Sequence, residues 1–150
     1  MAHLPTGVTI VSAHGPDGPA GATANAVVSI SLEPPLMLAS LDRGSRTRVA
    51  VEAAGAFGIS VLRSDHAELA RSFASRAPHT EKWHEIPWRE RGGVPILDEA
   101  LVWVACGLRD VHDAGDHLLL IGSVLELGSA DGDPLVFHRG TYRGLDSKPG

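Results

Sequence analysis

Gly15-Pro16-Asp17-Gly18-Pro19-Ala20-Gly21 is the stretch that decides the fold. Its glycines stand at a G-x-x-G-x-x-G spacing, which invites a dinucleotide-binding reading. That fingerprint requires the glycines to lead from a strand into a helix. Here the flanks are Gly7 to Ser12 and Val27 to Leu32, both rich in Val, Ile, Thr or Ser, so the glycines lead from one strand into another. Turn formers between two such runs read as a β-hairpin, with Gly7–Ser12 paired to Val27–Leu32.

Outward from this hairpin, Glu33-Pro34-Pro35 ends the second strand, because neither a helix nor a central strand tolerates consecutive prolines. Leu36 to Leu41 reads as a third strand. Ser45 then suits a helix N-cap, Val49, Ala50, Ala53 and Ala54 an apolar stripe, and Gly55 the left-handed C-terminal position. Phe57 to Leu62 reads as a strand. Asp65 and Glu68 have capping-box spacing, and Leu69 and Phe73 form an i,i+4 pair, so a second helix is expected over Asp65 to Ser75. Arg76 to Gly93 has no period and reads as a long loop carrying Trp83 and Trp88. Ala100 to His112 and His117 to Gly128 are long strands joined by the turn Asp113-Ala114-Gly115-Asp116. Leu135 to His138 is a last short strand before a polar tail. Antiparallel strands with two inserted helices predict a mainly β, barrel-like fold rather than a βαβ sheet.

Composition narrows the function classes. The 150 residues suit one domain over 1–150, which buries roughly 68–70% of the surface its unfolded chain exposes. Hydrophobic residues make up 43% and charged residues 21%, so neither disorder nor a special scaffold is needed. No apolar run approaches the ~20 residues of a membrane span. Met1-Ala2-His3-Leu4-Pro5 lacks the pattern of a secretion signal, and the expected location is the cytoplasm. The net charge of −5, with no block of like charges, argues against a nucleic-acid partner. Cys106 lies in an apolar strand and reads as a buried thiol that packs as a small hydrophobe. The histidines are scattered, and a hairpin cannot bring His112, Asp113, Asp116 and His117 to one point, so no metal is expected.

Two segments carry the polar tips that a flat, anionic ligand needs. Ala22 to Ser29 offers small side chains, which let the backbone approach a ring, with Thr23, Asn25 and Ser29 among them. Asp42-Arg43-Gly44-Ser45-Arg46-Thr47 offers a helix N-terminus, whose free N–H groups and partial positive charge form an anion site.

Pro5 to Val8, Gly21 to Asn25, Ser29 to Leu36 and Ser45 to Thr47 match, in order, the Pro-Thr-Gly-Val, Gly-x-Thr-x-Asn, Ser-x-Ser-Leu-x-Pro-Pro-Leu and Ser-x-Thr stretches of the flavin reductase-like family, which this chain resembles. Gly115-Asp116-His117, Gly122 and Leu135 to Tyr142 extend the likeness over nearly the whole chain. The resemblance implies an antiparallel Greek-key split β-barrel that binds FMN or FAD and reduces it with NADH or NADPH. It implies flavin contacts from Thr23, Ala24, Asn25, Ser29, Ser45, Arg46 and Thr47, and His117 at the mouth as the catalytic candidate near the nicotinamide. It also implies a homodimer, and a monooxygenase partner that receives reduced flavin. A flavin carrier or sensor without turnover, and a split-barrel oxidoreductase acting on another substrate, are the alternatives. For a 2′-phosphate of NADPH, Arg76, Arg89, Arg91 and Arg139 are equal candidates.

Overall fold

The computed structural model describes residues 2–145. In chain order the first strands are β1 (Thr6–Gly7), β2 (Thr9–Gly15), β3 (Gly18–Ala24), β4 (Val27–Leu32) and β5 (Pro35–Asp42). Helix α1 (Arg46–Ala54), β6 (Ala56–Val61), α2 (Ala67–Ala74) and the single turn α3 (His79–Lys82) follow. The chain continues through β7 (Trp88–Arg91), β8 (Val94–Leu97), β9 (Val102–Ala114), β10 (His117–Ser129), β11 (Leu135–His138) and β12 (Thr141–Gly144).

Seven strands form the main sheet in the order β3-β2-β6-β9-β10-β5-β4, all antiparallel. Its two edge strands, β3 and β4, follow one another in the chain through Asn25 and Ala26 alone. A sheet whose opposite edges are joined by so short a link has to curl on itself, and the Ala26 carbonyl, accepting from Ser40 N–H, extends the β4–β5 pairing into the link. The result is the barrel that the sequence predicts, left open between β3 and β4.

Successive residues of the central strands serve two different cores. Val11, Ala13, Phe57, Ile59, Val104 and Cys106 point inside, where Ala50 and Val51 of α1 join them. Ile10 and Ala105 point outward, beneath Ala70 and Phe73 of α2, Trp83, and Val94 and Ile96 of β8. Burial on both faces explains why these strands are nearly continuous in apolar residues instead of alternating.

The first hairpin is not the expected one. Strand β2 pairs with Gly18–Ala24, so Pro16 and Asp17 make the turn and the residues read as a long turn are themselves strand. Val27–Leu32 pairs with β5 instead. Pro19 is tolerated because β3 is an edge strand. Gly21 is required there, since a Cβ would come within 2.8 Å of the Phe73 ring and 3.0 Å of Trp83. The region 76–93 is likewise more ordered than its sequence suggests, with α3 and β7 inside it, and the polar tail contains β12. Helix α2 starts at Ala67, with no side-chain cap from Asp65 or His66. Among the described residues no helix is long and apolar enough to cross a membrane.

Candidate functional site

A cleft of about 900 Å3 opens between the β3–β4 link, the N-terminal turn of α1 and the segment joining α2 to α3, and His117, Phe137 and Tyr142 complete it. Local sequence explains why α1 aims its free end here. Ser45 is extended, with φ −66° and ψ 127°, and its hydroxyl accepts from Arg48 N–H at 3.4 Å, while Gly55 closes the other end at φ 68°. Asp42 accepts from Gly44 N–H at 2.7 Å, which shapes the tight approach to the helix.

Of the residues expected to bind, Thr23, Ala24, Asn25, Ser45, Arg46, Thr47 and His117 all line this one cleft. Ser29 does not; it lies exposed on β4, just before the register shift between Ser29 and Ser31. Besides Ser45, which caps α1, Thr23 and Arg46 are occupied in holding the walls together. Thr23 donates its hydroxyl to the Ala70 carbonyl at 2.6 Å and so ties β3 to α2. Arg46 donates to the carbonyls of Arg76 at 3.0 Å and Ala77 at 2.7 Å, which fixes the α2–α3 link against α1.

Other polar atoms on the walls have nothing to bind. Asn25 Oδ1, Thr47 Oγ1 and His79 Nε2 are shielded from solvent and lack a hydrogen-bond partner. A buried polar group left unpaired costs about 1–3 kcal/mol, so three on one cleft describe a surface that a polar ligand would complete. The charge on the walls has one dominant sign. Arg46, Arg76, His79 and Lys82 converge on them, and Asp42 is the single carboxylate among the lining residues. Burial holds both the His79 and Lys82 pKa values below their ordinary ones, with Lys82 and then Arg46 adding to the effect on His79, and Arg46 to that on Lys82.

His117 opens β10 at the cleft, and its Nδ1 lies 2.7 Å from Asp116 Oδ1. With Nδ1–H donating to that carboxylate, a neutral ring presents Nε2 as an acceptor. The same bond holds the Asp116 carboxyl below the usual carboxylate range. Cys106 is remote from all of this; it is fully buried in the inner core, and burial pushes its thiol pKa up to about 12. No group of three or more metal-ligating side chains occurs among the described residues.

Sequence reasoning missed His79 and Lys82, and with them the cationic wall, because they fall in the stretch read as a loop. The available signal was their i,i+3 spacing directly after Pro78, which suits one turn of helix.

The family model of the flavin reductase like domain matches residues 1–146. An NADH-dependent flavin reductase of a Rhodococcus species is 38% identical over 149 residues, covering 97% of this chain and 83% of that one. The reductase subunit of a flavin-dependent monooxygenase from Mycobacterium tuberculosis is 34% identical over 145 residues, covering 94% and 76%. An NADH:FAD oxidoreductase of Streptomyces globisporus, solved in complex with NAD and FAD fragments, superposes with a TM-score of 0.89 at 28% identity, covering 98% of this chain and 90% of that one. The cleft fits such ligands. Its volume lies within the ~300–1,000 Å3 of small-molecule sites, and its orphaned donors and acceptors and its cations match a flavin's polar edge and phosphate.

Proposed function

The chain belongs to the flavin reductase-like domain family, and from that premise we propose that it is an NADH-dependent flavin reductase whose cleft holds a flavin nucleotide. The observation that carries the reading is the gathering of Asn25 Oδ1 and Thr47 Oγ1, both without a partner among the described residues, beside the N-terminal turn of α1 on one cleft. A flavin held there would supply the acceptor, at N5, for a hydride from the nicotinamide C4 of NADH. The chain's own residues have the simpler tasks of binding and orientation. The N-terminal turn of α1, with Thr47, would hold the phosphate. Ala22, Ala24 and Ala26 leave room for the ring, and the Asn25 amide would meet its polar edge. His117, with Asp116 fixing its Nδ1–H, would accept a hydrogen bond at Nε2 from the nicotinamide amide.

Two further features support an assembly. Val28, Ile30 and Leu32 stand exposed on the open edge strand β4, and Leu125 and Leu127 on the part of β10 that runs past the start of β5. So much unpartnered apolar surface beside a sheet edge suits a homodimer. The reduced flavin would pass to a monooxygenase partner, as the name of the mycobacterial relative indicates for that protein. Dependence on NADH and an unpaired thiol both suit a reducing compartment, and we place the protein in the cytoplasm.

Anaerobic stopped-flow absorbance tests the reading. Mixing protein and FMN, or FAD, with NADH should bleach the flavin rapidly and in proportion to protein. Tight flavin binding with no protein-dependent bleaching would overturn the reductase and leave a carrier.

A further inference from the structure

Lys82 and His79 are cleft side chains to which the reading above gives no task. Lys82 is only 6% exposed, and its ammonium has one acceptor, the Phe73 carbonyl at 3.0 Å. Among the described residues no carboxylate pairs with it. Capping the end of α2 accounts for one of its three N–H groups, and a buried cation facing a single neutral acceptor is an incomplete pair. His79 lies one turn earlier on the same face of α3. Its Nδ1 accepts from Gly21 N–H at 3.4 Å, so the proton of a neutral ring sits on Nε2, which is buried and has no acceptor.

The charged groups around His79 share one sign. Lys82 comes from its own helix, Arg46 from α1 and Arg76 from the α2–α3 link, while β3 contributes only the Gly21 amide. Asp42, on the β5 side of the cleft, is engaged by Gly44 N–H. Among the described residues no carboxylate pairs with His79 or Lys82.

Resting on the flavin reading above, we propose that His79 and Lys82 form a second wall of the cleft's anion site, facing a phosphate of the bound nucleotide, and that His79 takes up a proton from solvent at Nδ1, giving up the bond from Gly21 N–H, as the phosphate accepts from Nε2–H. Burial and then the cationic neighbours Lys82 and Arg46 disfavour the imidazolium. A phosphate, whether the FMN monoester at about −1.5 to −2 or a singly charged phosphate of the FAD or NADH diphosphate, opposes that field and favours the imidazolium, while Nε2–H donates to it in either form of the ring. The phosphate belongs either to the flavin or to NADH.

Imidazole NMR of the histidine-15N-labelled protein, followed between about pH 5 and 8 in phosphate-free buffer, tests this. The protein is titrated alone and with riboflavin, FMN, NADH or inorganic pyrophosphate. His79 should titrate below the ordinary ~6.5 when free, stay there with riboflavin, and rise by about one unit or more with a phosphate-bearing ligand, a tenfold linkage between proton and ligand. A rise with FMN assigns the subsite to the flavin, and a rise with NADH alone assigns it to the reductant. His79→Gln, which keeps a neutral donor, should still bind FMN while losing the part of its pH dependence that wild type shows. Lys82→Gln should weaken FMN about tenfold and leave riboflavin unchanged. Flavin binding with an unmoved His79 in every arm overturns the subsite. A response to pyrophosphate in a protein that binds neither flavin would keep the subsite and overturn the flavin reading.

Discussion

Thr47 is 1% exposed, and its hydroxyl has no partner inside the chain, so its folding contribution and its binding contribution are separable. Thr47→Val keeps the shape and removes the unsatisfied group, which should leave stability to urea unchanged or slightly raised. The same substitution should weaken FMN by about tenfold, the value of a hydrogen bond to a charged acceptor, as read by fluorescence titration. Thr23 looks equivalent in the sequence, yet its hydroxyl is committed to Ala70, so Thr23→Val should instead destabilise by about 1 kcal/mol. Nothing local distinguishes the two; which hydroxyl stays free depends on where α2 comes to rest. His79 yields a pH prediction of definite sign. Its folded pKa is depressed, so between that value and the ordinary ~6.5 the unfolded chain binds more protons, and stability falls as pH drops below about 6.5. Urea unfolding at successive pH values should show a smaller acid loss for His79→Gln than for wild type.

Helix α1 is the element on which the proposed site depends most, and its signals are local: Ser45 at one end, Gly55 at the other, with no prolines between. Ser45→Ala should cost about 1 kcal/mol and also loosen the free end that faces the cleft, so FMN affinity and thermal midpoint should fall together. The strands obey longer-range constraints. Gly122 sits at a register shift between β9 and β10, and a Cβ there would lie 2.6 Å from both Cys106 Cβ and the Phe57 ring. Gly122→Ala should therefore destabilise by about 1–3 kcal/mol, measured by chemical denaturation. This division explains what the sequence disclosed. Leu36–Leu41, α1, Phe57–Leu62 and the β9–β10 hairpin were legible because their caps, turns and apolar runs are contiguous. The β2–β3 pairing was not, because Gly18–Ala24 is strand only by virtue of its edge position and of the Phe73 and Trp83 rings over Gly21. For α3, one turn is too short to show a period, and the two side chains it places on the cleft were lost with it.

At the scale of the molecule, the gap between β3 and β4 is the consequence of a seven-stranded sheet that curls without sealing, and it leaves β4 with unpaired backbone groups on one side. Native proteins blunt such edges with charge or cover them. Strand β4 carries neither remedy, since Val28, Ile30 and Leu32 are 51%, 45% and 86% exposed and no charged residue lies between Val27 and Leu32. Leu125 and Leu127, 58% and 65% exposed, add a second apolar strip on β10. Coverage by a second copy is the economical solution, because a self-complementary patch needs no other gene product and closes after one pairing. A stable interface buries at least about 1,000 Å2, which a strip on each of two strands with their surroundings can supply. Light scattering after gel filtration should then give twice the chain mass for wild type. Leu32→Asp combined with Leu127→Asp places like charges on the patch and should yield a monomer with unchanged far-ultraviolet circular dichroism, since neither side chain contributes to the inner or outer core. A wild-type protein that runs as a monomer at all concentrations would refute the homodimer and leave these strips to the monooxygenase partner.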